Sequence, residues 1–460
     1  MTSSIPDFHT KNFKLGAMSF PEKVIYWIIV LTPLWWLLGI QTLFYPAVVV
    51  ALLAVNFDID KLTRGSIPVC IWAWLGMALV MVWTATFGLN DVGFALHKIA
   101  ATFVTFFKSY CLIVAALLLP FWHVIRVKVV TRAVAWMATG YLVTIAIEMV
   151  MLAAGLGKEP FLPPLARLIP GGALSLLVTF ADLQPFFGIP LPRTVLYTPD
   201  PPIVGVCSIL SFFICLGEEN RRLRQISVAG CLTALLISFS RLSWISFVIA
   251  LVITACFHSS VARQGSLWIA SLSSLLCALL GGLTLSDLLK KPLEIFNSAP
   301  AESSKDRELV VTKTLEAWQQ RPWMGWGIIQ GSVKWYIYDI ALGSFSTYAS
   351  VLYLNGIIGL IVFLAALGST LWNTWTPAIR GNHHCQWAFA SLVALYMLLN
   401  GTPLTWMAVY LWYFFVWLGA ILAEVQRNEQ FVYRWEHLSG RTLKLKISNL
   451  KLKKIRLLLI

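Results

Sequence analysis

Charge is scarce in this chain. Asp, Glu, Lys and Arg make up 12% of its 460 residues, where a soluble protein carries roughly 25%. Hydrophobic residues reach 58%, against roughly 45–50% in an ordinary globular domain. Together these exclude a soluble enzyme, a disordered chain and a nucleic-acid-binding domain. The eight cysteines contain no CxxC and no Cys/His metal spacing, and all fall within or at the ends of apolar stretches. Neither a disulfide framework nor a metal centre is indicated, and no cofactor is expected. Histidine is scarce too, with seven in the chain. His383 and His384 are adjacent in a short connection and read as a solvated turn. The first 23 residues lack an apolar core followed by a small-residue cleavage site, so the first apolar stretch is expected to stay as an anchor.

Long apolar runs are abundant. They cover 24–40, 42–56, 67–87, 98–123, 133–155, 202–217, 226–240, 242–257, 267–285, 346–372, 385–400 and 405–423. The fold class expected is all-α: a polytopic integral membrane helical bundle of about 12 spans with a large, partly helical outer loop. The runs 42–56, 226–240 and 242–257 are short for a span, and a pair such as 226–257 also reads as a re-entrant hairpin. The net charge is +14, and alternate connections collect the basic residues. They hold Lys11, Lys14 and Lys23; Lys61 and Arg64; Arg126, Lys128 and Arg132; Arg221, Arg222 and Arg224; Arg263; Arg380; and a basic tail. The positive-inside rule makes these segments and both termini cytoplasmic.

The organisation expected is then an N-terminal transmembrane bundle (1–156), an outer loop (157–201), a block of spans (202–285), a large periplasmic loop with helices (286–345), C-terminal spans (346–423) and a cytoplasmic tail (424–460). The two outer loops hold nearly half of the 21 acidic residues. The tail from Leu443 to Ile460 interleaves Lys with Leu and Ile. It reads as a basic segment drawn to anionic lipid or as an interfacial helix, with a partner-binding role as the alternative.

Five features carry possible chemistry. Arg241, in SFSRLSWISF, follows a long apolar run at an outer turn. Such a charge either snorkels to the headgroups or clamps an anion, because guanidinium grips phosphate with two parallel hydrogen bonds. Arg307 heads a helix expected to start near Ser303 and run to Gln320. It shares one stripe with Val311, Thr314, Leu315 and Trp318, which turns it inward; the alternative is pairing with Asp306 or Glu308 on a solvated helix. PWMGWG, residues 322–327, is a turn whose Trp323 and Trp326 either anchor the loop at the interface or face sugar rings. Ser344, Ser346 and Thr347 can cap the next helix, or its N-terminus can hold an anion. Lys108 and Glu148 fall inside spans at similar depth and are expected to pair, with an ion pathway as the other reading.

The order of these pieces resembles the O-antigen ligase and O-antigen polymerase superfamily of bacterial envelope polysaccharide assembly. Three fragments carry the resemblance, which spans about 200–370. They are Ser240–Arg241; the run from Arg307 through Leu315–Trp318 to Pro322, Gly325, Trp326 and Gly327; and Gly343–Ser344, Ser346–Thr347, Leu352–Tyr353, Gly356 and Gly359. The resemblance implies a glycosyltransferase of the bacterial inner membrane that acts at the periplasmic face on a polyprenyl-diphosphate-linked oligosaccharide. Arg241 and Arg307 would be catalytic and grip the diphosphate. Trp323, Trp326, Ser344 and Ser346 would contact substrate. Partners would be the lipid bilayer and other polysaccharide-assembly proteins, with no nucleic acid.

One departure stands out. Ligase-like members carry a His in the segment matching Gly343–Thr347, and this chain has Phe345. Neither long outer loop contains a histidine. A base would have to be Asp306, Glu308, Asp339 or His97. The missing His favours an exopolysaccharide or O-antigen polymerase over a ligase. A membrane transporter or flippase is the alternative from another class, and a scaffold that has lost activity is a third.

Overall fold

We analysed a computed structural model of the chain. It describes residues 18–55, 57–58, 60, 67–156, 161–166, 177–178, 180, 182–186, 189–266, 301–335 and 338–429. The expected span at 267–285 and the tail from Leu443 to Ile460 lie outside these residues.

Each of the other eleven apolar runs is helical. Among the described residues five helices are long and apolar enough to cross a membrane: Val69–Asp91, Leu96–Trp122, Val127–Ala153, Arg241–His258 and Thr347–Ile379. Two bent pairs, Phe20–Val30 with Thr32–Leu38 (63°) and Leu404–Tyr410 with Trp412–Glu429 (76°), raise the number to seven if each is one span. Among the described residues the candidates thus number five to seven by length and composition, fewer than the twelve runs, because several apolar runs form short or broken helices. Gln41–Ala54 and Pro201–Cys215 are two such short helices. Arg221–Ile237 packs mainly on Val127–Ala153 and Pro201–Cys215, and Arg241–His258 mainly on His383–Leu398 with a smaller contact to Pro201–Cys215.

Interhelical hydrogen bonds join the apolar core. Trp74 Nε1 donates to Thr370 Oγ1 (3.0 Å) and Asn355 Nδ2 to Thr84 Oγ1 (2.6 Å), while the Ser211 and Tyr413 hydroxyls share a bond of 2.9 Å. Where apolar tails surround a bundle, such bonds and close packing hold helices together. The seven described cysteines are free thiols.

Charges assigned to the inner face do meet. Arg126 grips Glu22 with Nε (2.7 Å) and Nη2 (2.8 Å). Arg132 grips Glu218 with Nε (2.7 Å) and Nη2 (2.6 Å), and Lys128 pairs with Glu219. Lys108 and Glu148 behave otherwise. Lys108 sits in a π-helical turn, Phe107–Cys111. Glu148 is 1% exposed and lies beside Thr194 and Tyr197 of the outer loop. Among the described residues no ion pair joins the two, which corrects the expected pairing: the segment that holds Thr194 and Tyr197 folds back onto Glu148.

The long helix Thr347–Ile379 is interrupted at Gly356, where φ is 65° and ψ is −165°. The 322–327 turn fills the break. Trp326 N–H donates to the Tyr353 carbonyl and Gly327 N–H to that of Leu354, both at 2.8 Å. In return Ile357 N–H reaches the Pro322 carbonyl (2.9 Å) and Ile358 N–H that of Trp323 (3.3 Å). Backbone groups freed by breaking the helix are thus satisfied by the loop, as an apolar surrounding demands. This dock fixes the C-terminal end of the Ala301–Gln319 helix, which carries Arg307.

Candidate functional site

The site begins at the turn between Arg221–Ile237 and Arg241–His258. Phe239 holds φ at 46°, a left-handed conformation that a bulky side chain adopts only under constraint. The constraint is the neighbouring helix Pro201–Cys215. A Cβ on its Gly205 would stand 2.3 Å from Ser243 Oγ, so the turn lies directly on that helix. Within the turn Ser243 Oγ donates to Ser240 Oγ (2.8 Å), and Trp244 Nε1 reaches back to the Leu235 carbonyl (2.9 Å). Arg241 then occupies the first position of its helix and is half-buried. A cation there opposes the helix dipole, whose positive end is at the N-terminus. Arg241 and the dipole together favour an anion at this point.

Two more arginines converge here. Arg307 lies on the buried side of Ala301–Gln319, the side that also holds Val310 and Thr314. The helix starts at Ala301, two residues before the expected Ser303. The inward reading of the stripe holds: the Arg307 guanidinium lies over the Phe345 ring at 5.4 Å from its centroid. Thr314 Oγ1 accepts from Gly343 N–H (3.0 Å), which ties this helix to the segment containing Phe345. Arg193 closes the group from the outer loop. It ends the strand Ile189–Arg193, paired with Asp182–Phe186, and its Nε donates to the Ser238 carbonyl (3.0 Å). The charge of Arg307 acts on both Arg193 and Arg241. Burial pulls the Arg193 guanidinium below its usual range, the nearby Asp200 opposes that, and Arg307 adds to it. Like charges gathered on three separate elements raise one another's energy unless an anion joins them.

Asp200 is the acidic member. Burial pushes its carboxyl above the ordinary range, and Arg307 and Arg193 pull the other way. Sequence reading missed both Arg193 and Asp200. One signal was present: an Asp directly before Pro201–Pro202, which marks a helix start.

The remaining expected residues are placed as follows. Ser346 Oγ accepts from Ala349 N–H (3.4 Å), so it caps Thr347–Ile379 as expected. Ser344 Oγ donates to the Ala341 carbonyl (2.6 Å), and both serines are buried. Trp326 donates to the Ala317 carbonyl (2.9 Å), and Arg321 lies over its ring at 4.4 Å while also pairing with Asp91. Trp323 is 66% exposed. Of the expected bases, Glu308, Asp339 and His97 are exposed, and the Asp306 side chain lies outside those described.

The family model described as O-antigen ligase matches residues 226–364. The match contains Arg241, Arg307, the 322–327 turn and Phe345, and it bears out the resemblance to the O-antigen ligase superfamily. Comparison with curated proteins found no match.

Proposed function

We propose that the chain is an integral-membrane glycosyltransferase that polymerises or transfers a polyprenyl-diphosphate-linked glycan at the periplasmic face. The observation that carries this reading is the convergence of Arg241 and Arg307, with Arg193, on one end of an apolar bundle. A sugar leaving from a diphosphate needs its departing charge stabilised, and arginines supply this without a bound metal. Their planar forks match phosphate oxygens, and their charge is permanent. In this reading the acceptor hydroxyl attacks the anomeric carbon while polyprenyl diphosphate leaves into the arginine cluster. Exposed Trp323 offers an apolar face to a sugar ring or to the membrane interface. The ion-pathway reading of Lys108 and Glu148, which would suit a transporter, loses support because the two do not pair.

The polymerase is favoured over the ligase because Phe345 stands where the resemblance would place a ligase His. Its ring instead holds the Arg307 guanidinium by a cation–π contact. The lipid-linked intermediates of a deletion strain test this choice. Accumulated single-repeat polyprenyl glycan marks a polymerase, and accumulated full-length lipid-linked polymer marks a ligase. In the same strain Arg241→Lys and Arg307→Lys should each fail to restore product at normal expression. The loss expected is roughly 10²–10³ in rate, as for removal of one oxyanion donor. Near-normal product from both variants would remove the basis of the proposal.

A further inference from the structure

The arginine cluster explains how the leaving group is held, but a hydroxyl nucleophile also has a proton to lose. Of the histidines, the one expected candidate, His97, is exposed, and Phe345 stands where the resemblance would place a ligase His. Among the described side chains of the same segments, Asp91 pairs with Arg321 and Glu316 with Lys313, and Glu308 and Asp339 are exposed. Glu148 is 1% exposed, and neither carboxylate oxygen has a hydrogen-bond partner. It lies beside Thr194 and Tyr197, and no arginine acts on it. Asp200 alone is both half-buried and within reach of the charges of Arg193 and Arg307.

Local sequence keeps the Asp200 carboxylate available. It precedes the helix Pro201–Cys215 and stands at the N-cap. An Asp there ordinarily accepts the backbone N–H of the second or third helical residue. Here the first two residues are Pro201 and Pro202, which have no N–H. The third, Ile203, donates to the Asp200 backbone carbonyl instead (3.0 Å). The side chain accordingly makes no capping bond. The backbone at this point is pinned, because Thr198 Oγ1 also donates to the Asp200 carbonyl (3.1 Å). One turn further on, Gly205 seats the helix against the Ser238–Ser243 turn that presents Arg241. A fixed backbone, an uncommitted carboxylate and a neighbouring arginine cluster therefore coincide.

We propose that Asp200 is the general base that takes the acceptor's hydroxyl proton. This rests on the glycosyltransferase reading above. In the step, the acceptor O–H bond breaks and its proton goes to a carboxylate oxygen of Asp200. The acceptor oxygen forms a bond to the anomeric carbon. The bond from that carbon to the phosphate oxygen breaks, and its electron pair leaves with polyprenyl diphosphate, held by Arg241, Arg307 and Arg193. Asp200 later releases the proton to water. A partly desolvated carboxylate suits this role, since burial raises its basicity and the arginines keep it ionised.

The test uses the full-length protein in nanodiscs. The donor is the lipid-linked glycan extracted from the deletion strain, and unglycosylated polyprenyl diphosphate is the binding probe. Asp200→Asn should lower transfer by about 10²–10⁴-fold, the usual contribution of a positioned base. Its affinity for polyprenyl diphosphate should stay within a few-fold of wild type. Near-normal transfer overturns the proposal. An affinity loss that matches the rate loss also overturns it, because Asp200 would then only organise the arginines. If Asp200→Asn does not fold, Asp200→Glu decides. A carboxylate displaced by one methylene should transfer about 10–10²-fold more slowly at unchanged affinity. Wild-type transfer, or affinity lost along with transfer, overturns the assignment. Wild-type protein that does not bind the probe, or an Arg307→Lys variant that transfers normally, places the failure in the glycosyltransferase reading itself.

Discussion

Replacing Gly356 by Ala tests how the site is held together. A Cβ at this position would stand 2.2 Å from the Trp323 carbonyl oxygen and 2.3 Å from its carbon. Both atoms are backbone, so no side chain can swing away. The residue also sits at φ 65°, ψ −165°, a region open almost only to glycine, at a cost of about 1–3 kcal/mol for other residues. Relieving the contact means moving the Trp323 backbone, which carries or adjoins the acceptors of Ile357 and Ile358. Two such bonds contribute about 0.5–1.5 kcal/mol each. The total is about 2–6 kcal/mol, a large share of a stability that is typically about 5–15 kcal/mol. Gly368 lies on the same helix with nothing within 4 Å of its would-be Cβ. Gly368→Ala should be neutral, or stabilise by up to about 1 kcal/mol through helix propensity. Thermal unfolding of the purified variants in one detergent, followed by size-exclusion fluorescence, makes the comparison. Gly356→Ala should unfold several degrees below wild type, and Gly368→Ala should not. Its folded fraction should also transfer more slowly, since the displaced turn anchors the helix that carries Arg307. Equal midpoints for the two variants would refute the wedge argument.

Other outcomes follow from the same geometry. Phe345→Ala removes a contact of about 0.5–2 kcal/mol, so transfer should fall roughly 2–30-fold and less than in either Arg→Lys variant; a larger loss at normal expression would give the ring another role. The unfolding losses of Glu148→Gln and Lys108→Met should add within about 0.5 kcal/mol, and a coupling well above that would place the two side chains in contact. Reporter fusions after Asn220 and Lys454 should read cytoplasmic and one near Lys305 external; an external Asn220 would reverse the orientation and move the arginine cluster to the inner face.

Apolar periodicity made the helices legible, and all eleven described runs are helical. The number of spans was not legible in this way. Hydropathy does not register the bend of 63° between Phe20–Val30 and Thr32–Leu38 or the break at Gly356. At Gly356 another backbone comes close enough to exclude a Cβ. The approaching backbone is the 322–327 turn, far away in sequence and recognisable beforehand only as a Gly/Pro turn. Lys108 and Glu148 were matched by depth alone. Depth along two helices leaves rotation about each axis undetermined, and the segment that holds Thr194 and Tyr197 folds back onto Glu148.

Arg241 was legible because its charge follows a long apolar run and is costly without a purpose, and Arg307 because it heads an otherwise largely apolar stripe. Arg193 and Asp200 had no such contrast within their loop. Their position depends on a tertiary event, the folding of the outer loop onto the Ser238–Ser243 turn, which shows in the bond from Arg193 to the Ser238 carbonyl. Both also lie outside residues 226–364, where the family match falls. Within the match, Phe345, where the resemblance would place a ligase His, has its ring against the Arg307 guanidinium and no proton to exchange. If the chain transfers glycan, the matched segment supplies charge for the leaving group, and the proton acceptor has to come from elsewhere in the fold. The start of Pro201–Cys215, two prolines after an unused carboxylate, is where the described structure offers one.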